Sequence, residues 1–94
     1  MSISVMMVMC LSMQDGTKEC NMSGRYYQPD VTSVDDCSNA ADSAINDVLL
    51  ESNKEGWAKG VCFTQDKYSQ VITRAVEYLE AKGYKVNFEA YKGN

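Results

Sequence analysis

The chain has 94 residues, of which 45% are hydrophobic and 23% are charged, and its net charge at neutral pH is −4. This length and composition predict one folded domain spanning residues 1–94, with a single core, and exclude a disordered chain. The acidic balance argues against nucleic acid or an anionic membrane as a partner, and no run of the sequence approaches the roughly 20 apolar residues of a membrane span.

The chain begins with a predicted β-hairpin. Residues 3–11 are almost continuously apolar, which predicts a strand buried on both faces. The sequence Gln-Asp-Gly at 14–16 is a hairpin signal. The return strand is predicted over residues 17–27, because Pro29 cannot donate to a strand ladder.

A helix is predicted next, over residues 34–52. Ser33 and Asp36 have the spacing of an N-cap and N3 pair, and apolar residues then recur at intervals of three and four. We expect the acidic residues of this helix to form a solvated outer face. These residues are Asp35, Asp36, Asp42, Asp47 and Glu51.

The last third of the chain predicts a strand, a helix and a strand. The strands cover residues 57–63 and 84–91, the second being a half-buried edge strand. The helix covers residues 66–82, capped by Thr64 or Asp66 and ended by Gly83. A right-handed crossover would make the two strands parallel neighbours. The predicted fold is therefore an α/β (α+β) two-layer sandwich of order ββαβαβ, with a four-stranded mixed sheet and both helices on one face.

Four cysteines in a short chain predict two disulfides and an oxidising compartment, periplasmic or extracellular. The alternative is a cytoplasmic protein with four buried thiols. A three-residue hairpin loop with Gly16 in the left-handed conformation sets Cys10 opposite Cys20 and leaves Cys37 for Cys62. A two-residue loop does not, and the competing pairs are Cys10–Cys62 and Cys20–Cys37. We favour the first arrangement.

The sequence lacks the residues that several kinds of metal, cofactor and catalytic site require. The cysteines form no close pair and the chain has no histidine, so we expect neither a metal site nor a cofactor. No phosphate-binding loop or nucleophile elbow is present, and we predict no catalytic residue and no enzyme activity. Methionine-rich spacing in the first strand is typical of core filling rather than of copper binding.

The best candidates for binding are Arg25, Tyr26 and Tyr27 at the end of the return strand, with Trp57 as a neighbour. These residue types dominate binding hot spots. In a strand, one of Tyr26 and Tyr27 faces the core and the other faces solvent. A protein partner is the corresponding expectation.

A wider pattern of cysteines, a turn and an aromatic resembles small exported proteins of unknown function from tailed phages and bacteria, over about residues 5–63. It consists of Cys10, Asp15-Gly16, Cys20, Cys37, Trp57 and Gly60-Val61-Cys62-Phe63. The resemblance implies disulfides and export, and it carries no activity or catalytic residues.

The sequence therefore predicts a small disulfide-stabilised binding or inhibitory module that acts through a protein surface. One alternative is a structural or self-associating protein, a homodimer in which a second copy helps to bury the apolar first strand. A small carboxylate- or thiolate-dependent enzyme ranks below both.

Overall fold

The computed structural model describes residues 3–26 and 33–91. The predicted order ββαβαβ is confirmed, and the ends of the elements fall within two residues of those predicted. A 3-10 turn at Gln65–Lys67 precedes the second helix. The elements are β1 (Ile3–Ser12), β2 (Lys18–Tyr26), α1 (Val34–Ser52), β3 (Gly56–Thr64), α2 (Tyr68–Ala81) and β4 (Lys85–Tyr91).

The four strands form one mixed sheet in the order β3-β1-β2-β4. Both β2 and β3 run antiparallel to β1, and β4 runs parallel to β2. The predicted α+β class, with a four-stranded mixed sheet and two helices, is confirmed. The predicted pairing of the strands that flank α2 is wrong, because β3 and β4 form opposite edges of the sheet.

The helices cover opposite faces of the sheet, which corrects the predicted placement of both on one face. Val5 belongs to the same buried cluster as Ala41 of α1. Its neighbour in β1, Met6, belongs to a second cluster that includes Ile72 of α2. Because successive side chains of a strand point to opposite faces, the layers are helix, sheet and helix.

The direction of the crossovers explains this arrangement. The strands β2, β3 and β4 all run antiparallel to β1, and α1 and α2 connect them in turn. The chain moves across the sheet one way from β2 to β3 and back the other way from β3 to β4. Right-handed crossovers in opposite directions place their helices on opposite faces. A β4 strand beside β3 would have kept both helices on one face.

The hairpin and both favoured disulfides are confirmed. A three-residue loop is closed by the Met13 amide, which donates to the Thr17 carbonyl at 2.8 Å, and Gly16 has a φ of 89°. This register sets Cys10 opposite Cys20 with their Cα atoms 4.0 Å apart, the close spacing of a non-hydrogen-bonded pair. The second disulfide, which joins residues 37 and 62, ties α1 to β3. Two disulfides indicate an oxidising compartment.

Local capping chemistry accounts for the start of α1. The Ser33 side chain accepts a hydrogen bond from the Asp36 amide at 3.0 Å, as its spacing predicts. Asn53 ends the helix in the left-handed conformation. The start of α2 differs from the prediction, since α2 has Lys67 at its N-cap, without a side-chain cap, and Thr64 makes no cap bond to the 3-10 turn. That turn instead leads directly into α2.

Helix α1 lies against the outer edge of β3. Side chains at successive i+4 positions bind the backbone of this edge: Ser38 accepts from the Cys62 amide at 2.8 Å, and Asp42 accepts from the Gly60 amide at 3.0 Å. One turn further, Asn46 donates to the Ala58 carbonyl at 3.3 Å. These contacts cover a strand edge that would otherwise be open to pairing.

Candidate functional site

The structure separates the predicted binding residues into two places. Arg25 lies opposite Val5, on the face that α1 covers in part, whereas Trp57 lies opposite Cys10, on the α2 face. Five positions along a strand span about 17 Å. Trp57 is therefore not a neighbour of Arg25.

Only one of the two tyrosines of the predicted site lies among the described residues. Tyr26 is the last residue of β2 and pairs with Ser4, and Tyr27 lies outside the described residues. Arg25 is exposed at the surface, and it takes part in an interaction within the chain. A binding role for these residues stays a prediction.

Trp57 is part of an aromatic pair with Tyr84. The indole Nε1 of Trp57 donates a hydrogen bond to the Tyr84 hydroxyl at 3.3 Å, and the rings meet edge to face with centroids 6.4 Å apart. The Nζ atom of Lys18 lies 5.7 Å from the centroid of the Tyr84 ring, within cation–π range. Trp57 keeps 40% of its surface exposed. We call Trp57, Tyr84 and Lys18 the Trp57 patch.

Two backbone features set the positions of these side chains. Tyr84 follows Gly83, which has a φ of 91°, and the amides of both residues bond back to the last turn of α2, in the pattern of a Schellman motif. On the other side, Gly56 lies so close to the Cys10 carbonyl that a side chain at this position would collide with it. This close approach fixes the start of β3 beside the end of β1, and it thereby sets Trp57 opposite Cys10.

A shallow basic hollow adjoins the patch between the hairpin loop and the end of α2. Three lysines and one carboxylate line it, together with the backbone of both turns. Those side chains are Lys18, Lys82, Lys85 and Glu19. The hollow is thus a local concentration of positive charge on a chain whose net charge is −4, and its electrostatics favour an anionic group.

The hairpin loop beside the hollow is held by Asp15. Its Oδ1 atom accepts hydrogen bonds from the Thr17 hydroxyl at 2.7 Å and from the Thr17 amide at 3.0 Å. These bonds, chiefly the one from the hydroxyl, hold the pKa of Asp15 below its usual value because they favour the charged carboxylate. Ionisation of Asp15 therefore strengthens the two bonds that hold the turn immediately before Lys18.

Sequence reasoning missed two members of the patch and misplaced one acidic residue. Lys18 and Tyr84 are 66 residues apart in the chain, and only the parallel pairing of β2 with β4 brings them together. The Gly83 signal did indicate that the chain reverses before Tyr84. Asp42, predicted on the solvated acidic face of α1, is instead half-buried and bonded to the Gly60 amide.

Residues 3–26 and 33–91 hold no group of three or more cysteine and carboxylate side chains placed to bind a metal ion. Neither of the helices described there is long and apolar enough to cross a membrane.

Comparison of the chain with models of known protein families, with curated proteins and with solved structures gives no match.

Proposed function

We propose that this chain is a small disulfide-stabilised module that binds another protein through the Trp57 patch. The observation that carries the proposal is a tryptophan 40% exposed whose indole is held by the Tyr84 hydroxyl. Large exposed aromatics held in place lose little side-chain entropy on binding, which is why tryptophan and tyrosine dominate binding hot spots.

The surroundings of the patch indicate the chemistry of the partner. An apolar cleft that accepts the Trp57 ring, flanked by carboxylates that meet Lys18 and the other lysines of the hollow, would be complementary to this surface. The two disulfides and the resemblance to small exported proteins favour a periplasmic or extracellular partner. The proposed action is binding or inhibition rather than catalysis.

The test is retention of a partner by immobilised protein from the exported fraction of the producing cells. Wild type is compared with Trp57→Ala and with Leu50→Ala, a control because Leu50 is 76% exposed on α1, the helix on the other face of the sheet. We expect a protein that wild type and the control retain and that Trp57→Ala binds about 30-fold more weakly, since a hot-spot truncation costs about 2 kcal/mol or more.

A titration with the retained protein then completes the test. Trp57 is the only tryptophan of the chain, so its emission should shift to shorter wavelength as the partner covers it. Tyr84→Phe, which keeps the ring and removes the acceptor of the indole hydrogen bond, should weaken binding by a few fold. Equal retention by wild type and Trp57→Ala, or retention of nothing by any form, would refute the proposal.

A further inference from the structure

Among the described residues, the two edges of the sheet differ in whether other groups bind their outward backbone atoms. At the β3 edge, side chains of α1 bind the outward backbone groups, as described above. At the other edge, β4 pairs with β2 on one side, and no strand among residues 3–26 and 33–91 pairs with its outer side. An edge strand of seven residues that has no described strand on its outer side is a template for another strand.

We infer that the outer edge of β4 binds β4 of a second copy of this chain, antiparallel, about a two-fold axis at Asn87. The inference goes beyond the proposed function, because it concerns a second copy of the chain rather than another protein. The two share Lys85, which lines the hollow, but not Trp57, which lies in β3 at the opposite edge. A two-fold axis perpendicular to the sheet keeps each face on its own side, so paired residues must come from the same face.

Charge complementarity selects the register. Lys85, Asn87 and Glu89 share one face of β4, since they alternate with Val86 and Phe88. With the axis at Asn87, Lys85 lies directly opposite Glu89 of the second copy, and Glu89 lies opposite its Lys85. Moving the axis to either neighbouring residue sets neither charge opposite its counterpart. Glu89 also has an interaction within its own chain, and a carboxylate accepts from more than one donor.

The other face of β4 supplies an apolar reason for the same register. Val86 packs at the margin of the α2-face core, whereas Phe88, on the same face, keeps 39% of its surface exposed. The axis at Asn87 sets Phe88 opposite Val86 of the second copy. Aromatic and β-branched residues are favourable partners across antiparallel strands. The register that pairs the charges therefore also covers the exposed ring.

Pairing at β4 would leave the Trp57 ring open on each copy. Tyr84 directly precedes β4, but Trp57 itself lies on the edge strand remote from the axis, so the dimer would be an eight-stranded sheet with one Trp57 ring towards each end. Such a dimer presents two Trp57 rings to a partner that repeats, and it gains avidity without new contacts.

The test is sedimentation equilibrium of the full chain and of two charge reversals, Lys85→Glu and Glu89→Lys. We expect a dimer for wild type, and a dissociation constant raised about tenfold to hundredfold for each variant alone, because each sets like charges opposite at two symmetric places. An equimolar mixture of the two variants restores opposite charges and should dimerise as wild type does. Lys59→Glu, the same charge change on β3, is the control and should leave the wild-type constant unchanged.

A second measurement separates lost pairing from lost folding. Glu19 lies opposite Lys85 within the monomer, so urea unfolding of each variant accompanies the sedimentation. In wild type, amide hydrogen exchange of residues 85–91 should slow as protein concentration rises. A wild type that is monomeric at about 1 mM overturns the inference, as does a dimer that both reversals leave intact. A monomer whose β4 amides are protected only when a different protein is added overturns the dimer and favours that protein as the partner of β4. Retention of a partner by wild type but not by Trp57→Ala bears on the proposed function and leaves the dimer unaffected.

Discussion

Replacement of Gly60 by alanine tests the close approach of α1 to the β3 edge. A Cβ atom at this position would lie 2.5 Å from the Asp42 amide nitrogen and 2.6 Å from the Ala41 carbonyl oxygen. Both are backbone atoms of a helix, so neither can swing aside. Ordinary contact begins near 3.4 Å, and α1 must therefore move outward by about 1 Å.

The cost follows from what that movement disturbs. Forcing an extra methyl group into a packed interior costs about 1–3 kcal/mol. The hydrogen bond from the Gly60 amide to Asp42, now 3.0 Å long, weakens, and bonds to charged groups contribute about 1.5–3 kcal/mol. Alanine has less conformational freedom than glycine in the unfolded chain, and this offsets about 0.4–1 kcal/mol of the lost stability. We expect a net loss of about 3 kcal/mol, or about 10–25 °C in Tm for a domain of this size.

Urea unfolding with the disulfides intact measures this loss, followed by circular dichroism and by Trp57 fluorescence. Gly24→Ala is the comparison, because the atoms nearest its added Cβ are the ring and hydroxyl of Tyr68, a side chain rather than helix backbone. It should lose about 1–2 kcal/mol, less than Gly60→Ala, because a side chain yields more easily than the backbone of a helix. A Gly60→Ala protein as stable as the Gly24→Ala protein would show that α1 does not lie this close to β3.

Three further changes test other parts of the structure. Replacing both Cys37 and Cys62 by alanine opens a loop with a sequence separation of 25 and should lower the free energy of unfolding by about 3.5 kcal/mol; a loss below about 1 kcal/mol in urea melts would contradict this role. Ser4 is fully buried, and its hydroxyl has no hydrogen-bond partner among the described groups, so Ser4→Ala should stabilise the protein by about 1 kcal/mol; a destabilised variant would mean that the hydroxyl is bonded. Because the pKa of Asp15 is lowered in the folded state, its contribution to stability is present above its unfolded pKa and is lost as pH falls through the folded value. Thr17→Val removes the hydroxyl and keeps the backbone amide, so it should raise the Asp15 pKa towards its usual value in an NMR titration. An unchanged pKa would remove the Thr17 hydroxyl as the main cause.

Some of this protein follows from local sequence. The ends of α1 follow from Ser33 and Asn53, whose capping bonds reach no further than three residues. The hairpin register follows from the Gln-Asp-Gly loop, and that register alone places Cys10 opposite Cys20. Each of these choices is decided by neighbours in the chain, so a short window of sequence contains the interactions that determine it.

Other features depended on contacts between distant segments. The apolar pattern of β1 correctly predicts burial on both faces, and it therefore already implied a covering layer on each side. The pairing of β4 with β2 decides which edge of the sheet β4 joins. The sequence pattern of residues 85–91 does not predict this pairing. The edge in turn sets the direction of the second crossover, the face that α2 covers and the meeting of Tyr84 with Trp57. The elements are thus local properties of this sequence, while the layers and the Trp57 patch arise only when the strands pair.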